Sequence, residues 1–314
     1  MSAVTDPISS ILVIGGEKMR DRMDAAESRL LQIGAEHPDG LRTIEAGGKR
    51  LRPLLVFIAG LDGDDSDQLV RGAVAVELIH SATLVHDDTL DAAPLRRGRR
   101  TVFASGGRPA ATAIGDLLFS RAFAELAGNA SVEQLRVLSA ASSALARGEL
   151  IQREDAWSAD VTVERYIHRC ELKTASLFEA ACELGAIGSG SISLEGFGMS
   201  IGTAFQILDD VLDMTGPAER TGKRRGTDLL DGTVTLPLIE ARRLDPTLAE
   251  LDLRTIDDPG EVCDRVLETG AAGLARERAH RLVAEAKERL PAGLGSDQRR
   301  ALELVADGVV ERYA

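Results

Sequence analysis

Aromatic side chains are scarce in this 314-residue chain, where seven Phe, two Tyr and one Trp make up 3%. With 44% of residues hydrophobic, the core has to be built from Ala, Leu, Ile and Val, a composition that favours closely packed helices. Cysteine is almost absent as well. Cys170, Cys182 and Cys263 are odd in number and share no metal-ligand spacing, which excludes a disulfide framework and reads as reduced thiols in the cytoplasm. Positive charge is in deficit: 37 Lys and Arg face 50 Asp and Glu, a net −13, which argues against nucleic acid as a partner. A phosphorylated small molecule stays open, because metal ions and a local basic cluster can bring one into an acidic protein. No basic-then-apolar signal pattern opens the chain, and no apolar run approaches the roughly 18 residues that span a bilayer, so a soluble protein without integral membrane association is expected. The length suggests about two domains, yet no linker divides the chain. Residues 1–314 are expected to form one domain, with 1–15 a flexible N-terminus.

What the chain does have is acid in two costly places. Gly72–Ile79 is almost wholly apolar and predicts a buried helix, which must stop before Pro94 because proline disfavours helical geometry in the residue before it. Asp87, Asp88 and Asp91 therefore fall in its last turns, where they repel one another and oppose the negative end of the helix dipole. One such triplet is most often a solvated helix end. A second copy changes the balance: Asp209, Asp210 and Asp213 repeat the spacing after apolar Gly196–Ala204, and Thr215-Gly216-Pro217 ends that helix too. Oxygen donors in this number suit Mg²⁺, which takes a few carboxylates, keeps several waters and completes its shell with substrate phosphates. Two such clusters suggest a diphosphate held between them.

Basic and glycine-rich segments surround these helices. Gly47-Gly48-Lys49-Arg50-Leu51-Arg52-Pro53 sets three cations before the apolar Leu54–Ala59, and Arg220–Asp228 is a glycine-punctuated basic loop whose composition suits a flap over phosphates. Helical periodicity covers Gly16–Gly34, Pro109–Leu126, Val132–Asp155 and Val161–Leu184. Lys173 lies among Leu172, Leu177 and Phe178 in the last of these, a cost for a buried lysine unless it meets an anion. Glu149 and Gln152 read as polar packing, and the chain beyond Leu238 as scaffold.

From Gly47 to Pro237 these motifs, in this order, resemble the trans-isoprenyl diphosphate synthases of the polyprenyl synthetase family. The resemblance implies an all-α, single-domain helical bundle (the isoprenoid synthase type I fold) with the two aspartate-rich helix ends facing across a central cavity. It also implies a homodimer that condenses isopentenyl diphosphate head-to-tail with an allylic diphosphate. Asp87, Asp88, Asp91, Asp209, Asp210 and Asp213 would hold Mg²⁺, with Asp87, Asp91, Asp209 and Lys173 central to catalysis. Lys49, Arg52, His80 and Arg97, with Arg50 assisting, would bind isopentenyl diphosphate. Arg96, Lys173, Thr174, Gln206 and Lys223 would serve the allylic substrate. Because rings are few, helix-end carbonyls, Lys173 and Thr174 are expected beside the allylic cation rather than an aromatic cage.

Thr83 and Ala82, four and five residues before Asp87, are expected to line the path of the growing tail. Ile79, Val76 and Ala75 come next as its floor, and Phe119 and Phe123 narrow it from the neighbouring helix. Neither Ala82 nor Thr83 is bulky, so a product of geranylgeranyl length or longer is expected. One departure from the family pattern is Thr233, where a lysine is usual; it weakens allylic binding unless Arg224 or Arg225 compensates. Two rivals carry less: a class I terpene cyclase, which lacks a second DDxxD, and a non-catalytic regulatory subunit, against which both intact triplets argue.

Overall fold

The computed structural model describes residues 7–216 and 225–311. Among them the only strands are β1 (Leu95–Arg96) and β2 (Arg99–Arg100), an antiparallel pair. All other regular structure is helical, so the all-α class that the resemblance implies is the class adopted, in keeping with a composition that favours packed helices. The helices group into two compact units. The first draws on Met1–Ser142, Leu177–Gly198 and Leu290–Val305, the second on Ser143–Ser176, Met199–Arg289 and Ala306–Ala314.

In the first unit α1 (Pro7–Ile14), α2 (Gly16–Gly34), α3 (Pro38–Glu45) and α4 (Leu51–Ala59) lead to α5 (Ser66–Leu90), which packs against α2, α4 and α6 (Val102–Ala127). The described part of the stretch expected to be flexible is thus helical, with Ile11 of its apolar Ile-Leu-Val-Ile run buried. α5 starts where the Asp65 side chain accepts the Gln68 N–H. It ends where the Asp91 N–H meets the Asp87 carbonyl and Ala92, at φ 49°, leaves the helix. By length and composition α5 would suffice to cross a membrane, contrary to the expectation that no run comes close. Glu77 and His80 interrupt the apolar letters and hide its length. About 72% of its most apolar window is buried inside the protein, so this surface serves as core. α6 begins seven residues ahead of the expected Pro109. The Thr101 side chain caps it, and it bends at Gly107 (φ 74°), a left-handed position that glycine adopts without strain.

α7 (Val132–Asp155) and α10 (Phe197–Thr215) have the bounds expected to within a residue. Val161–Leu184 does not. It forms α8 (Val163–Cys170), a π-helical turn over Glu171–Ala175, and α9 (Ser176–Ser189). A Cβ on Gly148 would lie 2.5 Å from the Lys173 backbone nitrogen and 2.8 Å from its Cα, so the bare backbone of α7 closes directly onto the turn. Single π turns are uncommon and collect at functional sites. The second unit continues with α11 (Thr227–Leu230), α12 (Leu236–Leu244), α13 (Pro246–Ala249), α14 (Pro259–Glu268) and α15 (Ala271–Glu288); the last helix, α16, is Ser296–Glu311. α12 packs against α8 and α15.

Candidate active site

Both aspartate triplets stand at helix C-termini. In the first unit Asp87 is half-buried, Asp91 is exposed and Asp88 is buried. Just beyond them Arg97 (φ 50°) and Gly98 (φ 74°) form the two-residue turn joining β1 to β2, the left-handed geometry that tight hairpins use. The turn folds two arginines back. Arg96 meets Asp88 at 2.8 Å, and Arg97 donates to the carbonyls of Ala46 and Gly47, holding down the loop that carries Lys49, which is exposed.

Arg50 and Arg52 differ sharply in their partners. Arg50 forks onto both carboxylate oxygens of Glu27 (2.8 and 3.0 Å), reaches Glu77 at 2.7 Å and donates to the Ile44 carbonyl. Burial alone would lower its pKa, but Glu27 and Glu77 outweigh burial and hold it above its ordinary value. Arg52 lies over the Phe178 ring, 4.5 Å from the centroid, and its buried Nε has no hydrogen-bond partner among the described residues. Burial pushes its pKa down to about 10, partly offset by Glu77. A buried donor left unpaired costs about 1–3 kcal/mol, so Arg52 marks a place for an anion. His80 reports the same field. Burial, then the charges of Arg52, Arg97, Arg96 and Arg50, hold its pKa well below the usual imidazole value.

In the second unit Asp209 is exposed, whereas Asp210 is buried. Asp210 accepts from the Tyr166 hydroxyl at 2.6 Å and from Gln206 Nε2 at 2.7 Å. Burial raises its pKa to about 7, and those two hydrogen bonds pull it partly back. Gln206 Oε1 in turn accepts the Thr174 hydroxyl at 2.7 Å. Asp213 accepts the backbone N–H of Asp228 at 3.2 Å, tying the helix end to α11. Lys173, in the π turn, meets Glu149 at 2.5 Å. Arg153 shares that carboxylate at 2.6 Å. Burial would raise the Glu149 pKa, but Lys173 and Arg153 outweigh it and keep the carboxyl below its ordinary range. Glu149 therefore does more than pack, since it holds Lys173.

Lys223 and Arg224, with the first part of the expected flap (220–224), lie outside the described residues. Arg225 is engaged by the Met214 carbonyl and by Asp264, so its guanidinium is not turned to the role Thr233 leaves open. Thr233 itself follows Gly232, where the Trp157 ring lies so close that a Cβ would come within 2.3 Å. Of the two chain-length candidates, Thr83 is half-buried with its hydroxyl on the His80 carbonyl. Ala82 has no exposed surface at all, nor do Ile79, Val76 and Ala75. Phe119 and Phe123 stack against each other with centroids 5.6 Å apart.

Among the described residues no three His, Cys, Asp or Glu side chains converge to hold a metal by themselves. The donor set is instead one or two carboxylates at each helix end, which fits Mg²⁺ shared with substrate phosphates and not a cation caged by protein. Sequence reasoning missed Tyr166 and the partnerships of Glu27, Glu77 and Glu149. Tyr166 lies 44 positions from Asp210, and no local pattern joins them.

Comparison with known proteins gives the family and the fold. The polyprenyl synthetase family model matches residues 40–264. Heptaprenyl diphosphate synthase component 2 of Geobacillus stearothermophilus is 42% identical over 207 residues, 64% of this chain and 65% of that protein. The geranylfarnesyl diphosphate synthase of Natronomonas pharaonis is 35% identical over 90% of this chain and 92% of its own. A crystal structure of a polyprenyl synthase from Caulobacter crescentus, complexed with calcium and isoprenyl diphosphate, superposes with a TM-score of 0.85 at 32% identity, covering 98% of each chain. With the motifs, the helical fold and this coverage in agreement, the chain belongs to the polyprenyl synthetase family and is a prenyltransferase of the trans-isoprenyl diphosphate synthase kind.

Proposed function

We propose that the chain condenses isopentenyl diphosphate head-to-tail with an allylic diphosphate to give a trans-polyprenyl diphosphate of geranylgeranyl length or longer. The observation that carries this reading is Arg52, a buried cation with an unsatisfied donor among Arg50, Arg96, Arg97 and the neutral His80. Such a cluster, in a protein of net charge −13, is a local anion site. Arg52, His80, Lys49 and Arg97 bind the isopentenyl diphosphate. Arg50 is spent on Glu27 and Glu77, so its part is to hold the loop in place. Lys173 binds the allylic diphosphate and is steered by Glu149. The allylic C1–O bond breaks with its electron pair leaving on the diphosphate, and the isopentenyl double bond attacks C1. A proton is then lost to the departing diphosphate, which restores a double bond.

Asp87 and Asp91 at the end of α5, and Asp209 at the end of α10, are the residues that would hold Mg²⁺, which would supply Lewis-acid stabilisation of the charge on the leaving group. Asp88 and Asp210, turned toward Arg96 and toward Tyr166 with Gln206, orient these ends rather than ligate. The reading places the protein in the cytoplasm as a homodimer. The relative named component 2 favours a second reading, in which an unlike subunit completes the enzyme. A purified chain inert until such a subunit is added would support it, and a homodimer active alone would exclude it.

Steady-state kinetics on two variants test the substrate assignment. Arg52→Ala is expected to raise the KM for isopentenyl diphosphate roughly 10- to 100-fold, the value of a charge-assisted hydrogen bond, with the allylic KM little changed. Lys173→Ala is expected to impair allylic binding or ionisation and spare isopentenyl binding. Equal effects of both variants on both substrates would contradict separate sites.

A further inference from the structure

We infer that Tyr166 is a positioning residue for prenyl transfer, fixing through Asp210 and Gln206 the direction in which the Thr174 hydroxyl presents its proton and lone pairs. This rests on the function proposed above. Tyr166 is wholly buried on α8 and belongs to none of the sequence motifs. Its hydroxyl donates to Asp210 Oδ2, and Gln206 Nε2 donates to Oδ1, so each oxygen of the Asp210 side chain has one donor.

An amide has unlike ends, two donors on nitrogen and an acceptor on oxygen. With its nitrogen committed to Asp210, Gln206 turns its oxygen to Thr174, whose hydroxyl donates to it at 2.7 Å. A threonine hydroxyl has one proton, and here it is used. The oxygen therefore offers its remaining lone pairs, and no hydrogen, to whatever lies beyond. That polarity suits a carbon carrying positive charge and is wrong for donating to a phosphate oxygen, so Thr174 faces the cationic end of the allylic group rather than its diphosphate. Removing the Tyr166 hydroxyl leaves Asp210 Oδ2 without its donor. The carboxylate is then able to draw the amide, or the threonine proton itself, out of this arrangement.

Tyr166→Phe deletes one hydroxyl and keeps the ring that lies 5.3 Å from the Arg169 guanidinium. The test is a double-mutant cycle of Tyr166→Phe with Thr174→Val in the complete enzyme, measured well below the unfolding temperature. The expected result is a kcat roughly tenfold lower for Tyr166→Phe, with both KM values and the Mg²⁺ concentration for half-maximal rate unchanged. The double variant is expected to be no worse than Thr174→Val alone, because both changes break one chain. Losses that multiply, a wild-type kcat in Tyr166→Phe, or a fall in kcat matched by a rise in KM would overturn the inference. Should Tyr166→Phe fold poorly, Asp210→Asn replaces one acceptor with a donor. It is expected to lower kcat at an unchanged Mg²⁺ requirement; a raised requirement would make Asp210 a ligand and refute the scheme. A wild-type chain without prenyl transfer overturns this and the proposed function together, whereas wild-type turnover with an indifferent Tyr166→Phe overturns this alone.

Discussion

Arg50 and Arg52 stand two residues apart and do opposite work. Arg50 neutralises Glu77, a carboxylate inside the core helix α5, while Arg52 has a buried donor, Nε, with no partner among the described residues. Breaking a buried pair costs far more than the pair gains, because a charge stays behind without its partner. Arg50→Ala is therefore expected to destabilise the fold by about 3 kcal/mol in chemical denaturation, and Arg52→Ala to leave stability unchanged or raise it while damaging catalysis. Equal stabilities for the two variants would show that Arg50 is not structural. Nothing local in Lys49-Arg50-Leu51-Arg52 separates these roles. The partners of Arg50 lie 23 and 27 positions away, so the distinction exists only once α2 and α5 are packed. The same holds for the triplets: spacing marks six aspartates alike, but burial turns Asp88 and Asp210 toward protein and leaves Asp91 and Asp209 at the surface.

Among the elements, those governed by their own periodicity and ends were readable. α2 and α7 have the bounds their apolar spacing implies, and α5 stops short of Pro94. The π turn at Glu171–Ala175 was not readable, since the segment it packs on, at Gly148, belongs to another helix and leaves no mark in the local spacing. The bend at Gly107 and the full length of α5 were missed for lack of an uninterrupted pattern. α5 also sets the expectation for product length. Thr83 has open surface and Ala82 has none, so a ring at the two positions acts differently. Thr83→Phe is expected to shorten the product by filling the tail's path. Ala82→Phe overpacks a closed core and is expected to cost about 1–3 kcal/mol, read as a lower Tm. If Thr83→Phe leaves the product distribution unchanged, the tail does not run along this face of α5.

At the scale of the whole molecule, an acidic chain carries its cations where they count. The chain carries a net −13, and the arginines around His80 make a local exception. The family match and the shared fold place the chain among prenyltransferases; the carboxylates at the ends of α5 and α10 are what would let it ionise an allylic diphosphate. The measurement that tests this most directly is incorporation of labelled isopentenyl diphosphate by the purified chain, given an allylic primer and Mg²⁺, with the product sized and Asp209→Ala run beside wild type. Wild type is expected to give a prenyl chain of geranylgeranyl length or longer, and Asp209→Ala to give none while unfolding at the wild-type temperature or slightly above, since a carboxylate has left a helix C-terminus. No incorporation by wild type, or near wild-type turnover in Asp209→Ala, would contradict the account.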